Sequence, residues 1–200
     1  MNILAVDTTG SNLNVLALKN GESFFYARKD AAKQHSVYIY DAVDEVLKKS
    51  GLNKKEIDII ASVTGPGSFT GIRIGVCAVK ALCFALNKKC AALTSLKIAA
   101  YYEKEGITVP VISAGRGNCY YGAFNNGGEI FTPRFGTLEE AEKTASELKG
   151  SVLWYDENDA RYESAFRAAV TEAVNSPIEA VKLTPLYLRL SQAEREAECK

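Results

Sequence analysis

Ile3-Leu4-Ala5-Val6-Asp7-Thr8-Thr9-Gly10-Ser11-Asn12-Leu13-Asn14-Val15-Leu16-Ala17-Leu18 sets the architecture. A short apolar run stops at an acid, Asp7 to Asn12 turn the chain, and a second apolar run returns. Asn20-Gly21-Glu22 makes another tight turn into a third strand over 23–28, and Asn-Gly between apolar runs is a strong hairpin signal. From 36 to 49 the period becomes helical. Ile39, Val43, Val46 and Leu47 form one stripe, Asp44, Glu45 and Lys48 face away, and Ser50-Gly51 closes the helix. Residues 57–64 are almost wholly apolar, as in a strand covered on both faces. A second helix is expected over 68–86, with Arg73 and Lys80 as its only charges. Lys80 interrupts the span of about 20 apolar residues that a membrane crossing requires, so this helix is expected to be buried in the protein, with no membrane partner.

The order then repeats. Strands are expected over 109–113 and 119–124, a short one over 129–131, a helix over 138–148, a strand over 152–155 and a helix over 159–174. Strands alternating with helices predict an α/β protein, and the hairpin openings predict mixed sheets flanked by helices. Two halves, 1–100 and 101–200, are expected to pack against each other, the second smaller and degenerate.

Composition removes several functions. Lysine plus arginine number 24 against 24 acids, for a net charge of zero, and 47% of the residues are apolar. The chain is therefore globular, and it lacks the basic surplus of a stand-alone nucleic-acid binder. The opening Met1 to Asp7 has no basic segment and reads as a strand instead of a signal peptide. The five cysteines (77, 83, 90, 119 and 199) contain no Cys-x-x-Cys, and reduced thiols of a cytoplasmic protein are expected. His35 is the only histidine, expected as a cap or surface residue at the first helix. A multi-histidine metal site is thereby excluded.

Two segments carry candidate chemistry. Gly65-Pro66-Gly67-Ser68-Phe69-Thr70-Gly71-Ile72-Arg73-Ile74-Gly75 joins a strand to a helix, where backbone N–H groups can hold an anion. It is neither a Walker loop nor Gly-x-Gly-x-x-Gly. On spacing alone it serves either phosphate contact, or a tight turn with Gly71 and Gly75 making a flat face for close backbone approach. Asp7-Thr8-Thr9-Gly10-Ser11 is the second, since an acid followed by a hydroxyl-rich hairpin can hold metal-bound phosphate. A simple hydrogen-bonded turn is the plainer alternative.

The string GPGSFTGIRIG, the opening ILAVDTTGSNLNVLAL, the QHS before the first helix, TSLKIAA, and PLYLR with SQAE together resemble the TsaB (YeaZ) family over nearly the whole chain. That resemblance implies two subdomains of the actin/Hsp70/sugar-kinase (ASKHA), ribonuclease-H-like fold. It also implies a non-catalytic subunit in the threonylcarbamoyladenosine (t6A) modification of bacterial tRNA. Its partners would be a TsaD-type catalytic subunit and a TsaE-type ATPase, with a homodimer in their absence and tRNA reached only through the complex. The TsaD-type enzyme carries a His-x-x-x-His metal motif where this chain has Leu93-Thr94-Ser95-Leu96-Lys97-Ile98.

Contact is expected through Val37 and Tyr38 of the first helix and through Gly71, Gly75, Ala78 and Leu82 of the second. In the second half, Ser113-Ala114-Gly115-Arg116 replaces the family's Asp-Ala-Arg. A degenerate nucleotide site of Asp7, Thr8, Thr9, Gly10, Ser11 and Arg116 is thus expected to bind ATP or ADP weakly or not at all, with no required cofactor and no metal. Two rivals remain. A small ASKHA-type kinase or ATPase lacks a second acid here, and a glycoprotease-like peptidase lacks its imidazoles.

Overall fold

The computed structural model describes residues 1–103 and 105–189. Its first sheet has five strands in the order β3-β2-β1-β4-β5, with β1 Ile3–Asp7, β2 Leu13–Lys19, β3 Glu22–Arg28, β4 Ile59–Val63 and β5 Lys89–Leu93. The hairpin strands are antiparallel, and β4 runs parallel to both β1 and β5. Alternation sends Leu4, Val6, Leu13, Val15 and Ile60 to one face, where helices α1 (His35–Ser50) and α2 (Phe69–Leu86) cover them. Ile3, Ala5, Leu16, Ala61 and Leu93 point to the other face, beneath α3 (Ser95–Ala100) and α5 (Tyr162–Ala173). A sheet buried on both faces accounts for the apolar run at 57–64.

The second sheet repeats the order with four strands, β8-β7-β6-β9, from β6 Ile107–Gly115, β7 Asn118–Asn125, β8 Gly128–Thr137 and β9 Ser151–Trp154. Helix α4 (Leu138–Glu147) packs Ala141 and Ala145 on Val109, Val111 and Tyr121, while Leu96 and Ala100 of α3 meet Phe124. This is the mixed-sheet α/β fold expected from the sequence. The chain then returns across the first sheet's edge. Ile178 bridges Cys90, Leu186 N–H donates to the Thr64 carbonyl at 2.8 Å, and Lys80 Nζ donates to the Leu183 carbonyl at 3.1 Å.

Four expectations change. Strand β5 was not foreseen, and β8 continues past Pro133 to Thr137. Helix α5 begins at Tyr162 instead of 159, because Asp159 accepts from Arg161 N–H and holds a turn there. Helix α2 is not buried all round. Its 18 residues are apolar enough to cross a bilayer, yet Ile72, Val76, Val79 and Cys83 fill the core while Cys77 and Phe84 face outward. Of the five cysteines, Cys77, Cys83, Cys90 and Cys119 are free thiols, and Cys199 lies outside the described residues, as does the SQAE segment.

Candidate functional site

Asp7 ends β1 on the face that meets α5, and it is 1% exposed. A carboxylate this deep persists only when its lone pairs are satisfied. Here Oδ1 accepts from Thr9 N–H at 2.8 Å and Thr9 Oγ1 at 2.7 Å. Oδ2 accepts from Tyr162 at 2.6 Å and Tyr155 at 3.1 Å. Burial first, then the Asp7 charge, pushes both tyrosines well above their ordinary range, so they stay protonated donors. The tyrosines come from the second half, about 150 residues along the chain, and no periodicity singled them out.

The two sequence motifs meet each other. Thr8 Oγ1 donates to the Gly71 carbonyl at 2.7 Å, and Ser68 N–H donates to the Thr9 carbonyl at 2.7 Å. A Cβ on Gly67 or Gly71 would run into the Thr9 or Thr8 carbonyl, and one on Gly75 into Thr8 Oγ1. Ser95 locks the junction, donating to Pro66 O at 2.9 Å and lying 3.0 Å from Thr9 Oγ1. The Gly65–Pro66 peptide is cis. Ser68 caps α2, accepting from Gly71 N–H. The glycine face of α2 therefore admits close backbone approach, but the backbone approaching it is the chain's own β1–β2 turn. Gly71 and Gly75, expected to face a partner, are buried against Thr8 of that turn.

Around this junction a cleft of about 480 Å³ runs between the halves, lined by Thr9, Gly10, Ser11, Gly67, Ser113 and Tyr155 among others. The expected nucleotide residues divide here. Thr9, Gly10 and Ser11 line the cleft, Asp7 and Thr8 lie buried beneath it, and Arg116 stands at the exposed tip of the β6–β7 turn with φ 55°. Glu157, in the loop after β9, reaches into the cleft and accepts from Ser11 N–H at 2.6 Å, Ser11 Oγ at 2.5 Å and Asn12 N–H at 3.0 Å. His35 is fully buried instead of capping or lying at the surface, with Nε2 3.1 Å from the Asn12 carbonyl. Among the described residues no three His, Cys, Asp or Glu side chains gather as a metal-binding group.

A larger hollow of about 840 Å³ follows α5 past Tyr101, Arg167 and Glu172. Burial alone would raise the Glu172 carboxyl, but hydrogen bonds from Lys97 at 2.7 Å and from Tyr101 hold it below its ordinary range. Its charge is thus spent inside the chain, and neither sequence motif reaches this hollow.

The remaining contact residues lie on α1 and α2. Val37 is 64% exposed, and Tyr38 is half-buried under the Arg28 guanidinium, 3.5 Å from the ring centre. Ala78 is buried and Leu82 partly so, both in the core shared by the two helices. Beyond them Cys77, Ala81, Phe84 and Ala85 face outward, with Phe84 65% exposed. Lys80, the one charge on this stretch of α2, is turned onto the Val181 and Leu183 carbonyls.

Residues 28–163 match the family model described as TsaD: tRNA N6-adenosine threonylcarbamoyltransferase. The tRNA threonylcarbamoyladenosine biosynthesis protein TsaB of Bacillus subtilis is 32% identical over 126 residues, covering 62% of this chain and 55% of that protein. The TsaB of Buchnera aphidicola subsp. Schizaphis graminum is 28% identical over 152 residues, covering 74% and 68%. The chain thus spans about half the length of the Bacillus relative. YeaZ from Pseudomonas aeruginosa superposes with a TM-score of 0.77 over 94% of this chain and 99% of that one, at 20% identity, which speaks for the fold. The chain belongs to the TsaD (tRNA N6-adenosine threonylcarbamoyltransferase) family, in which it resembles the TsaB (YeaZ) members.

Proposed function

We propose that this chain is a non-catalytic subunit in the t6A modification of tRNA. It pairs with a TsaD-type catalytic subunit, and the pair is served by a TsaE-type ATPase. Alone it pairs with itself, and tRNA is met only through the complex, in the cytoplasm. The observation that carries this reading is the state of Asp7. Asp7, the acid of the hairpin motif expected to hold a metal-bound phosphate, accepts four hydrogen bonds from the chain itself. Phosphoryl chemistry needs a carboxylate free to hold metal or orient water, so the isolated chain binds ATP or ADP weakly at most and does not turn it over.

Residues 1–100 and 101–200 form the two subdomains in this proposal. The contact with the partner runs along the outer faces of α1 and α2, from Val37 and Tyr38 to Cys77, Leu82 and Phe84. An apolar helix face with its one charge turned aside favours a protein neighbour over water. The test is formation of the modified adenosine in tRNA by the TsaD-type subunit, with and without this chain. Strict dependence on the chain is expected. Equal rates without it, or modification by this chain alone, would overturn the proposal.

A further inference from the structure

Three donors from two consecutive residues, Ser11 N–H, Ser11 Oγ and Asn12 N–H, converge on the two oxygens of one carboxylate. Successive N–H groups in a turn, joined by a hydroxyl, form the concave donor set that binds phosphate or carboxylate. The turn is shaped around its occupant, because a Cβ on Gly10 would run into the Glu157 carboxylate. The acid arrives from 146 residues away, on a loop built to present it. Asn158 N–H donates to Asp156 Oδ1 at 2.8 Å and Arg161 N–H to Asp159 Oδ1 at 2.8 Å, folding the loop, while Asn158 Oδ1 accepts from Asn12 Nδ2 at 3.2 Å.

We propose that the Gly10–Asn12 turn is an oxyanion site whose resident ligand is the chain's own Glu157, seated where a phosphate group would otherwise bind. The carboxylate does two things at once. It excludes small oxyanions, including the terminal phosphate of a nucleotide, from the cleft. It also ties the loop after β9 to the first sheet without any bound ligand. This goes beyond the pairing proposed above and does not depend on it, since it is read on the isolated chain.

The test uses inorganic phosphate as the probe, with chloride at matched ionic strength as control. In the native chain the Ser11 and Asn12 amide resonances are expected to ignore phosphate. In Glu157→Ala they shift with phosphate, and the melting temperature of that variant rises with phosphate concentration. A folded Glu157→Ala whose two amides ignore phosphate overturns the proposal, as does a native chain whose amides respond equally. Should Glu157→Ala fail to fold, hydrogen exchange decides between native chain and Glu157→Gln, which fills the same space with a single acceptor oxygen. Exchange at Ser11 or Asn12 is expected to quicken about tenfold or more, and unchanged protection overturns the assignment.

Discussion

Thr8 and Gly71 hold each other face to face: the Thr8 hydroxyl donates to the Gly71 carbonyl at 2.7 Å, and the Thr8 carbonyl lies where a Gly71 side chain would begin. The hairpin turn and the glycine motif are thus two halves of one joint. Gly71→Ala forces a methyl against backbone that cannot swing aside, and a loss of about 1–3 kcal/mol is expected. Urea unfolding measures it, with Ala81→Ser on the outer face of α2 as a control that stays within about 0.5 kcal/mol.

Gly75 meets a side chain instead of a backbone atom, and that makes the contact separable. A methyl there collides with Thr8 Oγ1, so Gly75→Ala is expected to destabilise the native chain more than it destabilises Thr8→Ala. Residues in contact couple by about 0.5–3 kcal/mol in such cycles. Additive effects would mean that Thr8 and Gly75 do not touch.

Asp7 depends on its donors. Tyr162→Phe removes its 2.6 Å bond and leaves a buried charge short of a partner, at a cost of about 1.5–3 kcal/mol. Tyr155→Phe, whose bond is 3.1 Å, costs less. Asp7→Asn costs more than either single tyrosine change, because its NH2 replaces one acceptor oxygen and deprives both donors on that side of their acceptor. Equal stability of the three variants would contradict this order.

The same tyrosines predict an alkaline limit. An unfolded tyrosine loses its proton near pH 10, whereas burial and Asp7 hold the folded Tyr155 and Tyr162 well above that. Their contribution to stability is complete below pH 10 and is lost as pH rises beyond it, because only the unfolded chain releases protons there. Tyrosinate absorbance should show these two rings ionising only with unfolding, and Tyr162→Phe should flatten the fall in stability. Early, reversible ionisation of all ten tyrosines in the folded chain would be inconsistent with the buried cluster.

Local signals carried most of the fold. The Asn20-Gly21 turn and the stop of α1 at Gly51, which takes φ 60°, follow from single residues and could be read directly. Strand β5 was missed because Ala91 and Ala92 have little strand preference, and its place is set by parallel pairing with β4. The strand expected over 129–131 runs on through Pro133, which falls where the β7–β8 register slips, at the sheet's edge, so the missing N–H is tolerated. At the site, spacing left phosphate contact and a flat face at Gly71 and Gly75 as alternatives, and it has no means of naming Thr8, the residue those glycines meet. Tyr155, Glu157 and Tyr162 carried no local signal at all, because their roles exist only once the second half folds onto the first.

The central claim is that the chain acts by pairing through the outer faces of α1 and α2, and size-exclusion chromatography with light scattering tests it most directly. Mixed with the TsaD-type subunit of its own organism, the native chain should elute as a one-to-one complex. Phe84→Glu changes a side chain that is 65% exposed, so its stability should stay within about 0.5 kcal/mol of native, while it elutes alone. A native chain that ignores the catalytic subunit, or a Phe84→Glu and Val37→Glu double variant that still pairs normally, would contradict the account.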